Sequence, residues 1–415
     1  RKFSESYDEQ AGAHFTSRDI IYLMTELLVA PEKAEIMAEG CTKTAYDMAM
    51  GTSQMLGCLT ERLREISEDA ALTCFGQEFN PETYAIAKAD MLIKGGNASG
   101  MKFGDTLSDD AFTGYEFDYI ISNPPFGIDW KREKTQVETE AKRGYDGRFG
   151  PGLPAISDGQ MLFMLNGVKK LKEGSGRMTI IQNGSSLFTG DAGSGASEIR
   201  RYVIEGDLVE AIIQLPTDLF YNTGISTYIW VITKGKPLHR SGKVQLIDAS
   251  KCFVKRRKNI GSKRVDLDDA CINLIIKAYE GFADETYEEN GLVVESKVFE
   301  NRFFGFTKVT VETAQTDENG NPILKRGKRQ PVKGASDTET IPLSENRDAY
   351  MEKNVLPYNP LAYIDSSKDK IGYEVPFTRL FYKFTPPTPS AEIFEEIKAL
   401  EVEEAILMKE LFGNA

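Results

Sequence analysis

The stretch with the most distinctive chemical capacity is Asn123-Pro124-Pro125-Phe126, at the end of the apolar run 117–122. An exocyclic amine on a planar base is a poor nucleophile, because its lone pair is delocalised into the ring. Hydrogen-bond acceptors placed around such an NH2 group favour a more pyramidal nitrogen and aim the lone pair at an electrophilic carbon. The Asn123 side-chain oxygen and the Pro124 carbonyl can be those acceptors, since proline fixes the backbone and brings no competing N–H. Phe126 can stack on a base turned out of its helix, as chemistry on a base requires. Alone, the tetrapeptide also fits a plain strand followed by a proline turn.

A second constellation precedes it. Asp47-Met48-Ala49-Met50-Gly51-Thr52-Ser53 lies between a predicted strand and a predicted helix, and its glycine permits a tight turn that a ligand can approach closely. Glu78 ends the next strand, and Asp105 follows Phe103-Gly104. Singly, each carboxylate reads equally as a helix cap or a solvated residue. Their ordered spacing points instead to the crevice where α/β sheets bind ligands. Glu78 can accept from two ribose hydroxyls, Asp105 from an adenine amine, and Asp47 can lie near a cationic amino-acid end. S-adenosylmethionine suits that acid-rich set better than a pyrophosphate cofactor, which calls for more glycine and less acid at a helix N-terminus.

Other chemistries lack raw material. There are two histidines, His14 and His239, far apart in sequence, so imidazole relays and metal clusters are not expected. Cys41, Cys58, Cys74, Cys252 and Cys271 are scattered and never form C-x-x-C, which argues against disulfides or zinc and for a reduced cytoplasm. Residues 190–197 read G-x-x-x-x-G-A-S, near a phosphate loop but without its lysine; a glycine-rich loop before a helix is the better reading. The formal net charge of -13 disfavours unaided grip on DNA, so basic residues must be concentrated locally or a partner must hold the nucleic acid. No apolar run approaches the roughly 20 residues of a membrane span. A start at Arg1, without methionine or a signal segment, reads as a fragment with its native N-terminus upstream.

These residues need strands and helices in alternation to bring them together, and the sequence supplies the pattern. Helices are predicted at 18–29, 53–66, 81–93, 160–171 and 197–204, and strands at 42–47, 72–78, 117–122, 177–182, 208–215, 226–233 and 244–247. That order predicts an α/β fold with a mostly parallel sheet flanked by helices. Residues 130–156, rich in charge and glycine without periodicity, read as a long mobile loop. Residues 220–227 can present Tyr221 to a base or form an ordinary entry to a strand. The basic residues Lys251, Lys255, Arg256, Arg257, Lys258, Lys263 and Arg264, and the run 325–333, are either solvated surface or phosphate contacts. Ser390 reads as the cap of a last helix with Ile393, Ile397, Leu400, Leu407 and Leu411 on one face, interrupted by Glu404. The organisation expected is a catalytic domain over 1–250, a basic C-terminal α/β extension over 251–389 and a terminal helix over 390–415.

Together these features resemble the modification subunits of type I restriction-modification systems, within the gamma-ordered adenine-N6 DNA methyltransferases. Gly12-Ala13-His14-Phe15-Thr16-Ser17-Arg18 is similar to the family's G-x-F-x-T-P-R-type segment, with Ser17 in place of proline. Residues 215–225 match a Leu-Pro-x-x-Leu-Phe-Tyr-x-Thr-Gly-Ile element, and Val375-Pro376-Phe377-Thr378-Arg379 with Phe381-Tyr382 precedes the last helix as in the type I subunits. The resemblance implies a Rossmann-like methyltransferase fold and methyl transfer from S-adenosylmethionine to adenine N6 in DNA. Asn123, Pro124, Pro125 and Phe126 would be catalytic; His14, Phe15, Thr16, Asp47, Ala49, Gly51, Thr52, Ser53, Glu78 and Asp105 would hold the cofactor, without metal. It also implies DNA as partner, two such chains with one specificity subunit that chooses the target, a restriction subunit for cleavage, and a helical region before Arg1. The last helix is expected to dock on the specificity subunit.

The chain departs from the family in the cofactor turn, where D-P-A-C-G-T-G-G is usual and Met48, Met50, Ser53 and Gln54 stand instead. Serine at 53 costs on the order of 1 kcal/mol or more if the position demands a left-handed backbone. Two rivals stay open at this stage: N-methylation of an RNA base or a protein amide, and a catalytically silent subunit that binds DNA or acts as a scaffold.

Overall fold

A computed structural model of the chain describes residues 16–384 and 386–413. The first strands are β1 (Thr42–Asp47), β2 (Ala71–Glu78), β3 (Met101–Phe103), β4 (Tyr119–Ser122), β5 (Arg177–Asn183), β6 (Val209–Gln214), β7 (Thr227–Thr233) and β8 (Lys243–Asp248). After a hairpin of β9 (Val254–Ile260) and β10 (Lys263–Asp266), β11 (Glu285–Glu289) and β12 (Leu292–Glu300) return to the main sheet. Ten strands are ordered β11-β12-β8-β6-β7-β5-β4-β1-β2-β3. Strands β3, β2, β1, β4 and β5 run parallel. Strand β7 is antiparallel to both β5 and β6. The expected α/β architecture with a mainly parallel sheet is therefore present.

The chain moves outward from β1 to β3, then returns to lay β4 on the other side of β1. Such a reversal leaves a crevice at the carboxyl ends of the central strands. Strands β1, β2 and β4 end at Asp47, Glu78 and Ser122, so the singled-out residues lie at or directly after these ends. One face of the sheet is covered by helices Arg18–Val29, Gln54–Ile66 and Asp269–Gly281, whose buried residues join one apolar cluster. Local chemistry starts the elements where expected. Asn80 Oδ1 accepts from the amides of Glu82 and Thr83 at 3.0 Å each, while Pro81 opens the helix Pro81–Ile93.

A buried ionic knot ties the late helix Asp269–Gly281 to the sheet. Arg177 on β5 donates to Glu210 on β6 and to the Tyr279 hydroxyl, both at 2.7 Å, and Tyr279 donates to Glu210 at 2.9 Å. Burial opposes the charge on Glu210, but Arg177 and Arg240 overcome it and hold the carboxyl below its usual range.

A smaller four-stranded sheet follows, built from β13 (Gly305–Ala314), β16 (Pro331–Pro342), β17 (Ala362–Ile364) and β18 (Lys370–Tyr373). Between β13 and β16, β14 (Leu324–Lys325) pairs with β15 (Lys328–Arg329). The buried Arg200 fastens this sheet to helix Gly195–Glu205, donating to the carbonyls of Tyr373, Ser186 and Thr189. The glycine-rich stretch 190–197 leads into that helix, where Ser194 accepts from the Ser197 amide as its cap.

The structure corrects the reading of residues 130–156. They are ordered: Trp130 donates its backbone N–H to Ile156 and its indole N–H to Ala155, which closes the segment on itself. Inside it lies helix Lys134–Ala141 with Val137 buried, and Phe149 is buried as well. Arg148 fastens the segment with donations to Glu140, the carbonyls of Thr106 and Leu107, and Asn166. A few well-spaced anchors do what periodicity does elsewhere.

Residues 378–415 form a separate compact unit containing helix Ser390–Phe412. Ser390 is its first helical residue and not the cap, a position that Pro389 takes. Ile393, Ile397, Leu400, Leu407 and Leu411 are exposed. Among the described residues, no helix is long and apolar enough to cross a membrane.

Candidate functional site

The turn after β1 is laced to its neighbours by backbone groups. Asp47 is buried, and its Oδ1 accepts from the Ser122 hydroxyl at 2.7 Å and from the Ala49 amide at 3.1 Å. Burial pushes this carboxyl up to about 7, against the pull of those two donors and with added repulsion from Glu78. Glu78 accepts from the Gly51 amide at 2.9 Å and from the Asn80 amide at 2.8 Å. One carboxylate thus reaches across from β2 to brace the turn between β1 and the next helix.

The departures from the family pattern separate into two kinds. Met48 and Met50 are buried, and the structure makes room for them. A Cβ on Gly76 would stand 2.3 Å from Met50 Sδ, so glycine on β2 is what admits the longer side chain. Ser53 has no such compensation: it adopts φ 65 and ψ 21, the left-handed region, with no side-chain cap bond. Gly51 shares that region at φ 52, where glycine is suited. Ala49 and Thr52 are half-buried on the same turn.

Asp105 sits beyond β3, and its Oδ1 caps the following turn by accepting from the amides of Leu107 and Ser108 at 2.8 and 2.9 Å. Two aromatics that sequence reasoning passed over flank these carboxylates. Phe79 directly follows Glu78 and is 61% exposed, and Phe103, which pairs with Glu78 in the sheet, is 54% exposed. Exposed aromatic faces beside acceptors suit a purine ring. The signal was an apolar residue placed at a strand end, where burial is lost.

Asn123 follows β4 and is buried. Its Nδ2 donates to Thr16 Oγ1 at 2.9 Å, which fixes the orientation of the amide. Its Oδ1 is also buried and has no hydrogen-bond partner among the described residues. A buried acceptor without a donor is costly, and such a group at a strand end is ready for a ligand that brings one. Pro124 is buried, while Pro125 and Phe126 are half-buried. The loop is tethered next by the Gly127 amide, which donates to Asp158 Oδ1 at 3.3 Å. Asp158 in turn accepts from Gln160 and Ser185, a network that the sequence reading did not single out. His14 and Phe15 lie outside the described residues.

The element 215–225 packs against the β9–β10 hairpin. Leu215, Leu219 and Phe220 are buried, Tyr221 is half-buried, and the Ser262 amide donates to the Tyr221 carbonyl at 2.8 Å. Lys263 is 1% exposed and donates to Asp19, Ser17 and the Leu219 carbonyl, so this member of the basic stretch is a structural clamp. A cavity of about 700 Å³ opens here, lined by residues that include Ser17, Arg18, Gln54, Tyr221, Arg256 and Lys263. That volume suits a small organic ligand.

The residues present fit S-adenosylmethionine. Its ribose diol and two amines are donors, and the site offers carboxylates at consecutive strand ends with exposed aromatics beside them. Glu78 would take the ribose, Asp105 with Phe79 and Phe103 the adenine, and Asp47 would face the cationic end.

Comparison with known proteins shows the family. Residues 1–319 match the N-6 DNA methylase family model. The chain is 27% identical over 356 residues to the Type I restriction enzyme MjaIX methylase subunit of Methanocaldococcus jannaschii, covering 85% of this chain and 57% of that protein. It is 27% identical over 334 residues to the HindI methylase subunit of Haemophilus influenzae, covering 78% and 69%. A type I restriction-modification methyltransferase subunit from Streptococcus thermophilus superposes with a TM-score of 0.59 at 26% identity, over 72% of this chain and 58% of that one. The EcoKI M protein shares the fold, with a TM-score of 0.52 at 19% identity over 98% of this chain and 74% of that one. The chain thus spans only 57% and 58% of the Methanocaldococcus and Streptococcus proteins. With a family match across 1–319 laid over a sheet whose strand ends carry the acids and the Asn-Pro-Pro-Phe loop, this chain belongs to the N-6 DNA methylase family.

Proposed function

We propose that this chain transfers a methyl group from S-adenosylmethionine to N6 of adenine in DNA, as the modification subunit of a type I restriction-modification complex. The observation that carries the reading is the Asn123 Oδ1, buried, oriented by Thr16 and lacking a donor. The cofactor supplies a methyl carbon made electrophilic by its sulfonium. Asn123 Oδ1 and the Pro124 carbonyl accept the two N–H groups of the flipped adenine, and Phe126 stacks on its ring. The amine nitrogen would form the new N–C bond in line as the methyl–sulfur bond breaks, the sulfur leaving as a neutral thioether, and it would shed one proton to solvent. Alignment of the two reactants supplies most of the rate.

The similarity to type I methylase subunits supports a complex of two such chains with one specificity subunit, joined by a restriction subunit for cleavage, in the cytoplasm. Residues 1–250 serve as the catalytic domain, 251–389 as its extension, and the exposed apolar positions of helix Ser390–Phe412 supply a docking face for the specificity subunit. Ser53 favours the rival reading of a silent subunit, because its strained backbone sits in the cofactor turn.

The test is methylation of target DNA by the reconstituted complex, together with calorimetric titration of S-adenosylmethionine. Asn123→Ala is expected to abolish transfer and leave cofactor binding intact. Undiminished turnover in that variant overturns the assignment. Absence of cofactor binding by the wild-type complex moves the reading to the silent subunit.

A further inference from the structure

The ribbon of β13 and β16 ends in a tip, residues 315–333, that is exposed apart from Gln330. The tip is folded. The Gln315 amide donates to Gln330, Ile323 to Gln315, and Gln330 to Ile323, while Leu324 pairs with Arg329 and Lys325 with Lys328. At its apex Arg326 and Gly327 have φ 52 and 76, a two-residue turn that suits Asn or Gly at the first position. Arginine is kept there in a conformation that costs a residue bearing a Cβ.

Lys325, Arg326, Lys328, Arg329 and Lys333 are all exposed, and residues 322–336 contain no carboxylate. Among the described residues none of the five has an ion-pair partner; Arg329 lies over the Tyr363 ring at 5.6 Å. Two cations on or beside the same small sheet are paired, Lys308 with Asp191 and Lys368 with Glu312. The nearby Asp317 turns inward, accepting from the amides of Asn319 and Asn321. On a chain of net charge -13, a folded tip with five cations that form no ion pair, against two carboxylates at Asp317 and Glu318, calls for a polyanion.

We propose that this tip is an arm that binds the phosphates of double-stranded DNA, independently of base sequence. Lys and Arg supply donors to phosphate oxygens, and a two-stranded ribbon is narrow enough to lie along a groove. The proposal rests on the DNA-methyltransferase reading for why DNA is present, but its test does not. Local positive charge on an acidic chain resolves the conflict between net charge and a DNA substrate.

The experiment is fluorescence anisotropy of a labelled duplex of about 30 base pairs with the full chain, between about 50 and 200 mM salt. It compares the wild type with a variant carrying Lys325→Gln, Arg326→Gly, Lys328→Gln and Lys333→Gln, in which glycine relieves the apex turn and so preserves the hairpin. If these four cations contact phosphates, the slope of log affinity against log salt falls in magnitude by roughly 3.6, and affinity at low salt drops at least about tenfold. An unchanged slope and affinity, or a wild type without salt-dependent duplex binding, overturns the arm. Cofactor titration of the same preparations keeps the two readings apart. Cofactor binding with an unchanged slope sinks the arm alone, whereas a wild type that binds no cofactor, either alone or in the reconstituted complex, sinks the methyltransferase reading and leaves the slope to decide the arm.

Discussion

Asn123 and Thr16 share one hydrogen bond, 2.9 Å from Nδ2 to Oγ1, and that bond decides which end of the amide is engaged. With Nδ2 engaged, Oδ1 is the end left buried and, among the described residues, without a partner. Thr16 therefore acts through Asn123, in addition to any contact with the cofactor. Thr16→Val keeps the shape and removes the acceptor. Losing one such bond at a buried amide costs about 1–3 kcal/mol, so kcat is expected to fall roughly 10- to 100-fold. Cofactor affinity should stay within a few-fold, and Thr16→Ser should restore kcat. A variant that loses cofactor affinity and keeps kcat would show Thr16 to be a cofactor ligand only.

Ser53 pays for a left-handed backbone that glycine adopts freely. Ser53→Gly removes that strain but adds freedom to the unfolded chain, which leaves a net gain of roughly 0.5–1 kcal/mol. Urea unfolding reads the gain as a higher midpoint at constant slope. Cofactor affinity should rise as well, since the turn is held in its binding shape at lower cost. A Ser53→Gly chain less stable than the parent would mean that the serine makes up its strain elsewhere.

Asp47 makes stability and ligand binding depend on pH. Burial pushes its carboxyl up to about 7 from an ordinary value of 3.8. Between those values the folded chain keeps a proton that the unfolded chain has released, so this group's contribution is full at low pH and is lost as pH rises to about 7. Asp47→Asn retains an acceptor for Ser122 and Ala49 and should be a few kcal/mol more stable than the parent near about pH 8. A cation bound beside Asp47 favours its charged form, so cofactor binding should release a proton and tighten as pH rises from about 6 to 8. Titration in two buffers of different ionisation enthalpy measures that proton. Equal proton release by the parent and the Asp47→Asn chain would remove Asp47 as its source.

The fold was legible in the sequence because short strand-like runs alternate with amphipathic helices, and three of those strands stop at Asp47, at Glu78 and just before Asn123. The acids and the Asn-Pro-Pro-Phe loop could be singled out for the same reason: a polar residue ending an apolar strand sits at the open edge of the sheet. What joins them was not legible. Thr16 and Asn123 are 107 residues apart, and Ser122 and Asp47 75 apart, and no local pattern marks either pair. Phe79 and Phe103 carried only a weak signal, an apolar residue at a strand end, and their exposure is what sequence does not report. Lys263 looked like its basic neighbours, although a carboxylate 244 residues away makes it a buried clamp.

The segment 130–156 failed for a different reason, and the failure is testable. Its order comes from Trp130, Val137 and Phe149 together with one arginine, too few anchors to generate a periodic pattern. Arg148 holds Glu140, two carbonyls and Asn166 at once, and its charge overcomes burial to keep the Glu140 carboxyl below its usual range. Replacing it with methionine leaves Glu140 half-buried without its cation, which costs about 3–5 kcal/mol locally. The wild-type segment should therefore resist limited trypsin digestion without DNA, despite Lys131, Arg132, Lys134, Lys142 and Arg143 within it. Arg148→Met should expose those bonds and speed cleavage by about 100-fold or more where local opening controls the rate. Rapid cleavage of the wild-type segment would restore the mobile loop that its composition suggests.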